Sequence, residues 1–225
     1  MTHSADRTLT DTKIEDGASL RKALKILHNS VPNVVISSIP VEQWLRDLIP
    51  QHIRSTVSEH EQSLLCIASV RTAGTSSQLS STVYAACIPL ISGYFSGVGD
   101  LFSALVLGHY TADAVADGGG GGSAPSPPSL PPLPHAVSLA LTKTHTVLRL
   151  TEKYASSLSP DERTTTDDEL DRKDPERWIR RMRGRELRLI QGRKILSGEA
   201  MGELRWLKEW VDFWGSNSRA GGYEG

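Results

Sequence analysis

Tyr94-Phe95-Ser96-Gly97-Val98-Gly99-Asp100-Leu101-Phe102-Ser103-Ala104-Leu105 sets two glycines and an aspartate where an apolar, helix-forming run begins. Glycine lets the backbone approach a ligand closely and adopt positive φ. The first turn of the following helix offers N–H groups without intrahelical partners at the positive end of a dipole, which makes an anion site. Asp100 stands beside that site, placed to take a proton from an attacking hydroxyl. Together these features point to phosphoryl transfer. On spacing alone the signal is weak, and the plainer reading is a helix start with Asp100 as its N-cap.

Outward from this stretch the chain alternates helical and strand-like segments. Asp16-Gly17 opens a helix in which Leu20, Ala23, Leu24 and Leu27 recur at three- to four-residue spacing, running to about His28-Asn29. Asn33 to Ser37 is near-continuously apolar, as in a parallel strand covered on both faces. Val41 to Ile53 carries Trp44, Leu45 and Leu48 and predicts a short helix interrupted at Pro50. Leu64 to Val70 and Thr82 to Leu90 predict two further strands, joined by a Ser/Thr-rich stretch from Arg71 to Ser81. Asp100 to Ala116 predicts one helix, with Leu101, Leu105 and Gly108 turned to the sheet. The fold class expected is α/β, with a mostly parallel central sheet flanked by helices in three layers.

Gly118 to Gly122 followed by a proline-rich run to Pro134 reads as an inserted loop, flexible and then polyproline-like. Ser159 to Asp174 is polar and acidic. Arg177 to Lys194 is basic, and the acidic run before it makes a solvated, charge-balanced segment the expectation over a nucleic-acid patch. Leu204, Leu207, Val211 and Trp214 share one face of a predicted tail helix, either packed on the domain or offered to a partner.

Composition narrows the classes further. With 25 basic and 26 acidic residues the net charge is −1, which gives no general attraction to nucleic acid or anionic membrane. Cys66 and Cys87 lie in apolar runs and are expected buried and reduced. The seven histidines are scattered, and none sits in a zinc-type spacing. No signal-peptide pattern or membrane-length apolar run is present, so a soluble, cytoplasmic protein is expected. The G-x-x-x-x-G-K-[S/T] P-loop and the G-x-S-x-G elbow are both missing, which sets aside the scaffolds they mark.

Phe95-Ser96-Gly97-Val98-Gly99-Asp100-Leu101-Phe102 resembles the F-x-G-T-G-D-L-F signature of pyridoxal kinases, in the ribokinase-like superfamily. Further blocks follow in family order. Asn33-Val34-Val35-Ile36-Ser37-Ser38 is similar to the V-V-I-T-S-S strand end, and Leu64-Leu65-Cys66-Ile67-Ala68-Ser69 to the next strand. Thr142 to Lys153 resembles the helix bordering the adenine site, and Glu186-Leu187-Arg188-Leu189-Ile190-Gln191 the E-L-R-M-V-Q strand. The blocks span most of residues 12–195, in a fungal-type form with a Gly/Pro-rich insertion.

The resemblance implies ATP-dependent phosphorylation of the 5′-hydroxyl of pyridoxal, pyridoxine or pyridoxamine. Asp100 would be the base, and Gly97, Val98 and Gly99 the anion hole. Ser37 and Ser38 would face the nucleotide phosphates, and Ile91, Phe95 and Leu148 the adenine. Mg²⁺ and K⁺ would accompany ATP, and a homodimer is conceivable. Val98 stands where the family usually has threonine, so the backbone donors remain and a hydroxyl contact is lost.

The family's N-terminal half, which supplies the vitamin pocket and several strands, has no counterpart here, so a C-terminal half of the fold is expected. A non-catalytic nucleotide-binding or protein-interaction remnant is the alternative. The division expected is a polar lead at 1–11, the ATP-side half at 12–116 and a disordered insertion at 117–135. A helical continuation at 136–158, an acidic disordered loop at 159–176, a strand region at 177–196 and a tail helix at 197–225 complete it.

Overall fold

Asp16 starts the first helix, α1 (Gly17–Ser30), through a capping box. Its carboxylate accepts from the N–H of Ser19 at 2.7 Å, and the Ser19 hydroxyl oxygen accepts from the N–H of Asp16 at 3.0 Å. The N–H and hydroxyl of Ser19, both donating to the carboxylate, hold the Asp16 carboxyl below its ordinary pKa. As the spacing predicts, Leu20, Ala23 and Leu24 are buried, while Leu27 is partly buried against the core. The computed structural model describes residues 10–54, 61–72, 80–111, 130–163 and 168–215. They divide into two units, one of residues Met1–Leu90 with Leu207–Gly225 and one of residues Ile91–Trp206.

In the first unit, α1 is followed by β1 (Asn33–Pro40), α2 (Gln43–Leu48), α3 (Gln51–Arg54), β2 (Ser63–Thr72) and β3 (Ser80–Pro89), with β4 (Lys208–Glu209) near the C-terminus. Pro50 separates α2 from α3, as expected of a residue that cannot donate within a helix. The strands form one sheet in the order β1-β2-β3-β4.

All three ladders of this sheet are antiparallel, which corrects the parallel arrangement expected from the apolar runs. The connection explains the β2–β3 pair. Only residues 73–79 join these strands, and a parallel pair requires a crossover of about a dozen residues or more. The pairing runs without a bulge from Ser63 opposite Pro89 to Thr72 opposite Ser80. The β1–β2 ladder slips between Ile36 and Ile39, and Ser38 in that slip takes φ +62°.

Val34, Ile36, Ile39, Leu65, Ile67, Val83, Ala85 and Cys87 of the sheet pack with Leu20, Leu24, Leu45, Ile49 and Ile53 into one core. Burial pushes the thiol of Cys66 up to about 12 and that of Cys87 to about 11, and both are free. A polar thread crosses the same unit. His28 Nδ1 lies 3.2 Å from the Val31 carbonyl, so in the neutral ring Nδ1–H donates there and Nε2 accepts from the Ser69 hydroxyl at 2.8 Å. Ser69 Oγ is in turn 3.0 Å from Ser81 Oγ.

The predicted tail helix is not formed. Its segment makes the two-residue strand β4 and a turn from Val211 to Trp214. Leu207, Trp210 and Phe213 are buried and Val211 is exposed, so the helical face drawn through Val211 is wrong. Competing bonds decide this. The Trp210 N–H donates to Val83 O at 2.8 Å, Arg21 Nε to Phe213 O at 2.6 Å and Trp214 Nε1 to Ser81 O at 2.8 Å. Rings of Trp210, Phe213 and Trp214 meet edge to face at 5.0 and 4.9 Å.

The second unit is helical: α4 (Val98–His109), α5 (Pro132–Ser157), α6 (Pro160–Arg163), α7 (Asp168–Lys173), α8 (Pro175–Arg183) and α9 (Arg193–Ser197). Pro132 to His135, expected inside the disordered insertion, begin α5, since proline is tolerated in a helix's first turn; residues 117–129 of the insertion lie outside the described residues. Likewise α6 and α7 replace part of the acidic loop, while 164–167 lie outside the described residues.

Helix α5 is buried on nearly every side from Leu133 to His145, although it carries many polar residues. Four of its hydroxyls bond back along the helix: Ser138 donates to Pro134 O, Thr142 to Ser138 O, Thr146 to Thr142 O and Thr151 to Val147 O. Lys143 Nζ reaches Leu196 O of α9 at 2.6 Å, and burial lowers its pKa. His145 is 8% exposed, and among the described residues its Nε2 has no hydrogen-bond partner.

Burial, with the positive charges of Arg205 and Arg149 beside it, lowers the His145 pKa from 6.5 to about 4. Between these values the unfolded chain binds a proton that the folded chain refuses, so this contribution to stability is complete above about pH 6.5 and is lost as pH falls toward 4. Urea unfolding at a series of pH values should therefore show stability declining below pH 6.5, with a shallower decline in His145→Gln. Identical pH slopes for the two proteins would remove His145 as the cause.

Candidate active site

The chain enters α4 through a short, unusual loop. Gly93 takes φ +129°, and a Cβ there would meet the Phe95 ring at 3.1 Å, so the ring tucks against bare backbone. Ser96 N–H donates to Arg185 O at 2.9 Å, and Ser96 pairs with Glu186 in a single parallel bridge. Gly97 then takes φ +80° and is the N-cap of α4. Its carbonyl accepts the first helical bond, from Leu101 N–H at 3.0 Å.

This geometry sets aside the reading of Asp100 as the N-cap. The cap is Gly97, three residues earlier, and Asp100 stands inside the first turn. Gly97 has no side chain to offer, so the N–H groups of Val98, Gly99 and Asp100 face outward uncapped. Asp100 is exposed beside them, and nothing lies within 4 Å of where a Cβ on Gly97 or Gly99 would be. The result is a helix N-terminus without a side-chain cap and with an exposed carboxylate in its first turn, an arrangement that can take an anion such as a phosphoryl group.

Phe102, one turn on, is the buried anchor of α4, which packs on α5. Leu101 and Leu105 are half-buried. Gly108, expected to face the sheet, is exposed with open space about it, and α4 ends at His109; residues 112–116 of the predicted helix lie outside the described residues. Ile91 and Phe95, both half-buried, precede the anion loop, and half-buried Leu148 lies on α5. Ser37 and Ser38 belong to the first unit, exposed on β1 at its register slip. The left-handed backbone of Ser38 is strained for a residue with a Cβ.

The segment after α8 was expected as a strand and is instead the single bridge at Glu186 followed by turns from Leu189 to Gly192. Nor is the basic run uniformly solvated. Arg177 and Arg181 are 2% and 5% exposed, and both guanidiniums hold the carboxylate of Asp171. Arg180 pairs with Glu162 at 2.9 Å and Asp174 at 2.7 Å, and Arg188 lies over the Tyr154 ring at 4.0 Å. Much of the run thus builds structure. Its contact with the anion loop through Arg185 was not foreseen, because a parallel bridge of one residue leaves no period-2 signal.

Among the described residues no three His, Cys, Asp or Glu side chains gather as a metal site, and no helix is long and apolar enough to cross a membrane. His52, one of the scattered histidines, accepts a structural role through a 3.0 Å contact between Nε2 and Glu209 O.

No family model matches the chain. Across 95 residues, 42% of this chain and 23% of the relative, it is 30% identical to the Saccharomyces cerevisiae protein named "Putative pyridoxal kinase BUD16". Solved structures share the fold over nearly the whole chain. A pyridoxal kinase from Leishmania donovani in complex with ADP and ginkgotoxin is 17% identical with a TM-score of 0.52, over 91% of this chain and 48% of that one. The Plasmodium falciparum enzyme PdxK with AMP-PNP and PL is 16% identical with a TM-score of 0.52, over 91% and 46%. The chain therefore spans about half the length of these structures. The described residues form a mixed α/β fold similar to that of these pyridoxal kinase structures.

Proposed function

We propose that this chain carries the nucleotide side of a pyridoxal kinase, which transfers the γ-phosphoryl group of ATP to the 5′-hydroxyl of pyridoxal, pyridoxine or pyridoxamine. The observation that carries the reading is the uncapped N-terminus of α4, with Gly97 left-handed at the cap and Asp100 exposed in the first turn. The transferred phosphoryl group spreads charge over its equatorial oxygens, and fixed donors that need no reorganisation stabilise that charge. The N–H groups of Val98 and Gly99 serve this purpose. Valine at 98 supplies its backbone donor as well as threonine would.

Asp100 accepts the proton of the attacking hydroxyl as the oxygen–phosphorus bond forms and ADP leaves. Ser37 and Ser38 contact nucleotide phosphates, and Ile91, Phe95 and Leu148 line the adenine. Magnesium is bound chiefly by the phosphates of ATP. A monovalent cation such as K⁺ assists in neutralising the phosphates, and the setting is vitamin B6 salvage in the cytoplasm, in a protein that can form a homodimer. A second reading follows from the share of the related structures that is matched, 48% and 46%: a chain that binds nucleotide and does not turn over.

A coupled assay for pyridoxal 5′-phosphate with ATP and Mg²⁺, run beside ADP titration, separates these readings. Asp100→Asn should lower turnover by about 10²- to 10⁴-fold while leaving ADP affinity intact. ADP binding without product would establish the second reading, and neither binding nor product would overturn both.

The glycines make a further, opposite-signed pair of predictions. Gly99→Ala places a methyl in open space within a helix, so it should raise stability by about 0.5–1 kcal/mol and weaken ADP binding. Gly97→Ala forces a side chain into φ +80° and should lower stability by about 1 kcal/mol or more. Thermal unfolding with and without ADP checks both. Unaltered ADP affinity in Gly99→Ala would show that the donors there are not used.

A further inference from the structure

Residue 185 touches the anion loop twice. Its carbonyl accepts the N–H of Ser96, the residue before the left-handed cap Gly97, at 2.9 Å. Its guanidinium lies over the ring of Tyr94 at 5.7 Å from the centroid. Tyr94 is 70% exposed, so this aromatic ring is not held by burial, and Arg185 is its partner across the loop. Arg185 is itself placed by α8, whose Arg177 and Arg181 are pinned on the Asp171 carboxylate and whose C-cap, Gly184, directly precedes it. A rigid helix end thus delivers one arginine to a loop that depends on unusual backbone angles at Gly93 and Gly97.

We propose that Arg185 and Tyr94 act together as positioning residues for the anion loop: the guanidinium–ring contact holds residues 93–97 in the conformation that aims the α4 donors at nucleotide phosphate. The inference rests on the function proposed above. An arginine suits the task because its planar, permanently charged head stacks on an aromatic face while the main chain stays free to accept from Ser96. Neither side chain needs to touch the nucleotide. Their effect comes from removing alternative loop conformations that would have to be excluded on binding.

The test measures ADP affinity and melting temperature of the full chain for wild type, Arg185→Ala, Tyr94→Ala, the double variant and Tyr94→Phe. Truncating either partner should weaken ADP by about three- to tenfold. The double variant should be no weaker than the worse single one, since both remove the same contact. Tyr94→Phe keeps the ring and should bind ADP as wild type does, and melting temperatures should stay level because both side chains are at least partly exposed. Wild-type affinity in Arg185→Ala, or losses that multiply in the double variant, would overturn the proposal. A wild-type chain that binds no ADP would instead overturn the function on which it rests, an outcome separate from binding that ignores residue 185.

Discussion

The β2–β3 ladder is the element on which the first unit depends. Ten residues on each strand pair without interruption, and they carry Leu65, Ile67, Val83, Ala85 and Cys87 into the core. Because side chains alternate across a strand, a slip of one residue would turn all of these outward at once. The ladder also receives what comes later. β1 aligns along β2, and the C-terminal turn reaches back to Val83 and Ser81 through the N–H of Trp210 and the indole of Trp214. Arg21 and Lys25 of α1 then close over the rings of Phe213 and Trp214. Residues nearly two hundred positions apart are joined by one small sheet.

In the second unit a comparable dependence runs through charge. Two buried arginines sharing the Asp171 carboxylate are expensive to desolvate and would be costly to leave without it. Their geometry fixes α8, α8 fixes Arg185, and Arg185 with Glu186 holds Ser96 at the mouth of α4. The candidate site is built largely from backbone: a left-handed cap, the first-turn N–H groups and a single carboxylate.

Much of this was legible in the residues. The spacing of Leu20, Ala23 and Leu24 announced α1, Pro50 announced the break between α2 and α3, and apolar runs located β1, β2 and β3. Gly97, Gly99 and Asp100 marked a helix start. Strand direction was not legible in the same way, because a buried antiparallel strand and a parallel one carry the same continuous apolar run, and the short 73–79 connection was the cue that outweighed it. The tail misled for a related reason. Leu204, Leu207, Val211 and Trp214 do fit a helical period, but the bonds that Trp210, Phe213 and Trp214 make to distant strands and to α1 exceed what a short isolated helix offers.

By itself the sequence determined α1, the break at Pro50, the strands β1 to β3, the helix start beside Gly97 and Gly99, and which residues are apolar enough to form a core. These follow from short-range chemistry: side-chain period, the missing Cβ of glycine and the missing N–H of proline. Tertiary structure alone decided the antiparallel pairing, the identity of Gly97 as the cap in place of Asp100, the burial of Arg177 and Arg181, and the delivery of Arg185 to Ser96. Each of these depends on partners far apart in the chain, whose meeting is set by packing and desolvation across the folded unit rather than by any local run of residues.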